Sequence, residues 1–240
     1  MRYRQIVVLT GAGISAESGI RTFRDQNGLW EDHRIEDVAS PEGFQRNPEL
    51  VYQFYNLRRR QLLEPALEPN AAHVALAEFE AEHLRRGGRF TLITQNVDNL
   101  HQRAGSRHVI PMHGQLQSAL CQLSGLSHTW IGDLTAADRC CCCPTPQPLR
   151  PDIVWFGEVP YQLDQCFDAL SAADLFVSIG TSGKVYPAAG FMDVAQQAGA
   201  VTVELNLEPT RSDVDQGYYG PASDVVATFF ENLMDGTDSG

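Results

Sequence analysis

The sequence predicts an α/β fold: a parallel sheet with helices on both faces, and a smaller lobe formed by insertions. Three observations carry this expectation. Short, nearly continuous apolar runs recur along the chain, as strands buried on both faces require. Stretches of helical periodicity lie between them. Residues 25–63 and 114–151 break that rhythm, the first helical with aromatic insertions, the second rich in Cys, Gly and Pro.

Taken in order, strands are expected at 5–10, 90–94, 174–179 and 200–205, each apolar and closed by polar or glycine residues. Helices are expected at 70–84, 163–172, 188–197 and 224–234. In the first of these Val74, Leu76, Ala77 and Phe79 form the apolar face. The 240 residues make one domain, with a large lobe over about 1–24, 64–113 and 152–240 and a small lobe over about 25–63 and 114–151. The tail after Met234 is expected to fray.

Composition narrows the function. Hydrophobic residues make up 43% and charged residues 20%, which excludes disorder as the main state. The longest apolar runs are strand-length, short of the roughly 20 residues a membrane helix needs. A strand beginning near residue 5 leaves no room for a signal peptide, so a cytoplasmic location is expected. Whether a longer form with a short leader exists stays open. With 18 basic against 30 acidic residues the net charge is -12, and no basic stripe offers itself to nucleic acid. That balance fits Lys-rich protein segments as partners, and equally plain solubility. Four of six cysteines run from Cys140 to Cys143, which suits metal or redox chemistry better than a disulfide framework.

The first strand runs into Gly11-Ala12-Gly13-Ile14-Ser15-Ala16, a G-x-G-x-x-A turn of Rossmann-like type. Gly11 allows the tight turn, Gly13 lets backbone approach a pyrophosphate, and Ala16 allows helix and strand to pack closely. A dinucleotide site or a merely structural turn both fit. No acidic residue closes a second strand as a dehydrogenase requires, and the chain continues Glu17-Ser18-Gly19-Ile20-Arg21-Thr22-Phe23-Arg24-Asp25 instead.

Residues 11–25 together resemble the first signature of the sirtuins, the NAD-dependent protein-lysine deacylases. Thr94-Gln95-Asn96-Val97-Asp98 with Leu100-His101 is similar to the second. Met112-His113-Gly114, Val154-Trp155-Phe156-Gly157-Glu158, Gly180-Thr181-Ser182 and Leu205-Asn206-Leu207-Glu208 match the rest in order. The likeness spans almost the whole chain and is strongest to the bacterial CobB-type enzymes of class III, which prefer acidic acyl groups.

This resemblance implies that NAD is a reactant. Nicotinamide leaves its ribose, the acyl-lysine oxygen takes its place, and free lysine and O-acyl-ADP-ribose result. Such chemistry needs a water-excluding site with one base near the ribose diol. His113 is the implied base, since imidazole titrates near working pH; by itself it reads equally as a backbone-bonded core histidine. His101 is expected to orient its loop, and His33, His73, His83, His108 and His128 to be surface or packing residues. Asn96, Asp98 and Gln95 are implied to hold the nicotinamide carboxamide and adjacent ribose, with Asn96 also catalytic; as residues alone they also suit capping the turn. Gly11, Ala12, Gly13 and Ser15 belong to the implied cofactor set. So do Phe23, Arg24 and Asp25 of a cofactor-binding loop, and the small turn Gly180, Thr181 and Ser182. Asn206, Leu207 and Glu208 would meet the adenosine ribose, and Ala222 the adenine. Acylated lysine side chains are the implied partners, met by Val154, Phe156 and Gly157; a monomer is expected, with no nucleic acid and no membrane.

Tyr55 and Arg58 stand three apart on an expected helix and so share a face. A guanidinium fork with a phenol suits a carboxylate in an apolar tunnel; charge alone equally suits a solvated basic face. Their spacing matches sirtuins that remove succinyl and malonyl groups, and Ala39 leaves room for the longer chain. Spacing selects Arg58 from the run Arg58-Arg59-Arg60. The resemblance also implies a structural zinc on two cysteine pairs, but Ser124 stands where a thiolate belongs. Cys121, Cys140 and Cys143 are the expected ligands, with Cys142 or water as the fourth; a metal-free or oxidised lobe is the alternative. Three other activities remain open here: an NAD-dependent dehydrogenase, protein ADP-ribosyl transfer, and a non-catalytic acyl-lysine-binding module.

Overall fold

A computed structural model describes residues 2–21, 29–30 and 33–236. Strand β1 (Gln5–Thr10) turns at Gly11 into a 3-10 helix, Ala12–Ser18. The short strands β2 (Leu29–Trp30) and β3 (His33–Arg34) pair antiparallel. Helices α1 (Ile35–Val38), α2 (Pro41–Arg46) and α3 (Pro48–Gln61) follow. The Asn47 side chain accepts from Leu50 N at 3.1 Å and Pro48 occupies the first turn, which fixes where α3 starts. Next come α4 (Ala71–Arg85), capped by Asn70, then β4 (Arg89–Thr94), α5 (Leu100–Ala104) and β5 (Val109–Pro111). Strands β6 (Gly114–Cys121), β7 (Ser127–Thr129) and β8 (Leu149–Ile153) make a separate antiparallel sheet in the order β7-β6-β8. The chain ends with α6 (Leu163–Ser171), β9 (Leu175–Ile179), α7 (Phe191–Gln197), β10 (Val201–Asn206), β11 (Gln216–Tyr219) and α8 (Ala222–Asp235).

The main sheet has six strands in the order β11-β10-β9-β1-β4-β5, all parallel. Alternation along β1 decides the two cores. Ile6 and Val8 pack with α4 and α8 through Leu76, Phe79, Val226 and Phe230. Val7 and Leu9 pack on the other face with α6 and α7 through Cys166, Leu170, Phe191 and Met192. A third cluster ties α1 and α3 to β6 and β8 through Val38, Phe54, Tyr55, Leu116, Ile153 and Trp155.

Strand order reverses at β1, whose neighbours are β4 on one side and β9 on the other. Ligands of open parallel sheets settle outside the carboxyl ends of the strands at such a switch point. Here each of the six strands delivers some of the expected site residues at that end: residues 11–13, 95–98, 113, 180–182, 206–208 and 222.

Several expectations change. The helix after the glycine turn is 3-10 and seven residues long. Val74 is 40% exposed, because the buried face of α4 runs through Ala72, His73, Leu76, Ala77, Phe79, Glu80 and His83 and leaves Val74 on the far side. Ala16 is exposed and lines the cleft instead of spacing helix from strand. Strands β2, β3, β5, β6, β7, β8 and β11 lie outside the expected set.

Candidate active site

A cleft of about 1080 Å³ opens at the switch point. The structure brings almost every expected site residue to it. Gly11, Ala12, Gly13, Ser15, Gln95, Asn96, Asp98, His113, Gly180, Thr181, Ser182, Asn206, Leu207, Glu208 and Ala222 line one part. Ala39, Tyr55, Arg58, Val154, Phe156 and Gly157 line the rest. Phe23, Arg24 and Asp25 lie outside the described residues.

The floor is two turns packed backbone on backbone. A Cβ built on Gly11 would stand 2.8 Å from the Gly180 carbonyl oxygen, and one on Gly13 would stand 2.7 Å from Gly180 Cα. Gly180 itself has φ +59°, a region side chains disfavour. The glycines therefore serve first to let the two turns meet, with Gly13 N donating to the Gly180 carbonyl at 2.9 Å. Glu17 ties the same turn to the start of α8 by accepting from Ser223 N and Ser223 Oγ, both at 2.8 Å.

Beneath the floor lies a buried polar network. Asn96 Nδ2 donates to the Gly11 carbonyl at 3.1 Å and to Ser15 Oγ at 3.2 Å, and Ser15 Oγ donates to Asp98 Oδ2 at 3.0 Å. Asp98 Oδ1 accepts from Leu100 N at 3.0 Å. Burial pushes the Asp98 carboxyl up, against the pull of these hydrogen bonds. The rings of His73 and His101 lie 4.9 Å apart between centroids, tilted at 57°, and burial lowers both, His73 to about 4. His101 is buried, with Nε2 3.0 Å from Thr10 Oγ1.

His113 sits half-buried at the mouth of β6, its Nδ1 at 3.1 Å from the Gln95 carbonyl. A carbonyl only accepts, so Nδ1 carries the proton and Nε2 is the ring's acceptor. Burial lowers its pKa, partly offset by that hydrogen bond, and keeps the ring neutral at neutral pH.

On the opposite wall the three arginines part ways. Arg58 lines the cleft, with Nη1 on the Phe54 carbonyl at 2.6 Å and its guanidinium 3.2 Å from the centre of the Phe54 ring. Arg59 is buried, donating Nε to the Leu116 carbonyl at 2.7 Å and Nη1 to Asn56 Oδ1 at 2.5 Å; burial lowers it to about 10. Arg60 pairs with Asp133 at the surface. Tyr55 is fully buried, its hydroxyl accepting from Trp155 Nε1 at 3.1 Å, and burial raises its pKa.

Sequence reasoning missed Trp155, Glu158, Arg59 and Glu204. Glu158 accepts from Trp155 N at 2.8 Å and pairs with Arg150 at 2.8 Å, which shapes the 154–158 turn. Glu204 is buried in β10, accepting from Thr210 and from Tyr219 Oη at 3.1 Å. Trp155 and Glu158 stand inside the matched 154–158 motif, which by itself gives them no role, Glu204 reads as one more position of an apolar strand, and Arg59 meets a carbonyl 57 positions away.

The Sγ atoms of Cys121, Cys140, Cys142 and Cys143 lie within 4.8 Å of one another. Cys143 is 3.8 Å from both Cys121 and Cys142, close to the about 3.8 Å edge of a tetrahedron with Zn–S bonds of about 2.3 Å. The four thiols fit a structural zinc, and the place left by Ser124 is taken by Cys142, with Ser124 Oγ 3.2 Å from its sulfur. None of the four lines the cleft.

A family model described as "Sir2 family" matches residues 11–187. The chain is similar over its whole length to the NAD-dependent protein deacylase of Escherichia coli strain K12, at 57% identity and covering 86% of that protein. Among solved structures it resembles a Sir2 homolog–NAD complex with a TM-score of 0.85 and 37% identity, covering 98% of this chain and 91% of the other. It also resembles a Sir2–p53 peptide–NAD+ complex with a TM-score of 0.75 and 33% identity, covering 98% and 94%.

Proposed function

The chain belongs to the Sir2 family and is an NAD-dependent protein deacylase; from that premise we propose that His113 is its catalytic base and that Tyr55 and Arg58 favour acidic acyl-lysines. When bound, NAD supplies a ribose carbon that receives the acyl oxygen as nicotinamide leaves. Residues of the two floor turns, 11–15 and 180–182, offer hydroxyl side chains and close backbone approach to the phosphates and ribose. Asn96 and Asp98 hold the carboxamide and the adjacent ribose, with Gln95 beside them. Asn206 and Glu208 take the adenosine ribose hydroxyls, and Ala222 meets the adenine.

His113 is supported as base by its tautomer and its environment. The Gln95 carbonyl holds the proton on Nδ1, so Nε2 is ready to accept one from a ribose hydroxyl. An acylated lysine of a protein substrate enters past Val154, Phe156 and Gly157, with Phe156 half-exposed and Ala39 beneath it. The observation that carries the acyl preference is that, of three consecutive arginines, Arg58 is the one lining the cleft that holds His113. There Tyr55, held by Trp155, adds a phenol on the same helix face. The six cysteines form no disulfide and suit a reducing compartment, which supports a cytoplasmic location.

The test is a comparison of acetyl-, succinyl- and malonyl-lysine peptides, following peptide mass and NAD-dependent nicotinamide release. Replacing Arg58 by Met is expected to cost the succinyl and malonyl reactions about 2–5 kcal/mol of transition-state stabilisation and largely to spare deacetylation. Equal loss on all three peptides would remove Arg58 from acyl selection.

A further inference from the structure

Seventeen of the 18 basic residues are arginines, and the one lysine of these 240 residues is Lys184. It is exposed and lines the cleft, on the turn that carries Gly180, Thr181 and Ser182. That turn is held at several points. Gly180 packs against Gly13 and Ile14, the Thr181 carbonyl accepts from Asn206 Nδ2 at 2.8 Å, and Gly183 N donates to Thr181 Oγ1 at 3.2 Å. The amine therefore starts from a fixed base beside the cofactor floor. Arg21 and Arg58, the other basic side chains of the cleft, carry guanidinium groups that stay protonated and do not acylate in water. An enzyme whose substrates are acylated lysines thus carries its own acylatable side chain in its active cleft.

We propose that Lys184 is an acylation site through which acyl thioesters close the cleft to NAD. The unprotonated ε-amine adds to the thioester carbonyl, the C–S bond breaks, the thiolate leaves with the amine's proton, and an amide remains. With a succinyl donor the side chain passes from one positive to one negative charge and gains a four-carbon chain. The two negative charges of the NAD pyrophosphate then meet repulsion where they met attraction. This inference rests on the deacylase reading above, since it assumes that NAD occupies this cleft.

The experiment treats the full chain with succinyl-coenzyme A and locates the added groups by peptide mass spectrometry. Initial rates of nicotinamide release with an acetyl-lysine peptide are then measured over a range of NAD, before and after treatment. Lys184→Arg receives the same treatment, and each protein is compared with itself, so the α-amine common to both cancels. The expected result is succinylation at Lys184, with KM for NAD raised about tenfold, kcat little changed, and the increase shrinking as salt rises. Lys184→Arg is expected to keep its own KM through treatment. The proposal is overturned if Lys184 stays unmodified under excess donor, if the fully succinylated native chain keeps its KM, or if Lys184→Arg loses as much. Failure of the untreated native chain to release nicotinamide with any acyl peptide would instead strike the deacylase reading.

Discussion

His113 donates from Nδ1 to a carbonyl that cannot reciprocate, and this single hydrogen bond leaves Nε2 as the nitrogen able to accept a proton. Its burial decides when. Because the folded pKa is lowered, the base-competent neutral ring persists as pH falls through the ordinary histidine range near 6.5. The acid limb of kcat/KM is therefore expected below 6.5, and a His113→Ala variant is expected to lose turnover at every pH while still binding NAD. A pH profile with its limb above 6.5, or turnover retained in the variant, would remove His113 as the base. The histidine is visible in the sequence only through its Met-His-Gly setting; alone it is indistinguishable from His73, which the fold buries as packing. Arg59 was not legible at all. Its reason for burial is the Leu116 carbonyl, 57 positions away.

At the level of elements, the two floor turns behave as one piece because no Cβ separates them. Gly13→Ala places a methyl 2.7 Å from Gly180 Cα, where only backbone can give way. The change is expected to cost about 1–3 kcal/mol of stability, read as a lower Tm, and to raise KM for NAD. Gly132→Ala is the control, since nothing lies within 4 Å of the added methyl. Strands β1, β4, β9 and β10 were legible because both of their faces are buried, which writes an apolar run into the chain. Strand β5 has three residues and ends in Pro111, and β11 is a half-exposed edge of Gln, Gly and Tyr. Neither leaves an apolar run long enough to read as a strand. Strand β6 was hidden for another reason: its alternating Leu116, Ser118 and Leu120 sit in a segment that cysteine and glycine mark as loop. Four adjacent cysteines likewise leave the fourth zinc ligand to the path of the backbone, which brings Cys142 in beside Ser124.

For the molecule as a whole, the cysteine cluster and the parallel sheet have separate cores. Cys121 and Cys140 pack with Tyr52, Ala119, Leu134 and Leu149, none of which belongs to the clusters flanking the main sheet. Stripping metal with a chelator is expected to release the antiparallel sheet and leave the parallel one folded. Hydrogen exchange would show protection lost over β6, β7 and β8 and kept in β1, β4 and β9. Uniform loss across both sheets would mean one cooperative unit. Deacylation is expected to fall with the metal, because Leu116 and Val154 of the cleft wall hang on that sheet. The parallel arrangement has one more consequence. Strand β1 begins at the edge away from the cleft, and α8 starts at the cleft and runs back to the same far edge, where Arg86 holds the Met234 carbonyl at 3.0 Å. Polypeptide leaving the start of β1 or the end of α8 would therefore depart from the rear of the described residues, away from the entrance for acylated proteins.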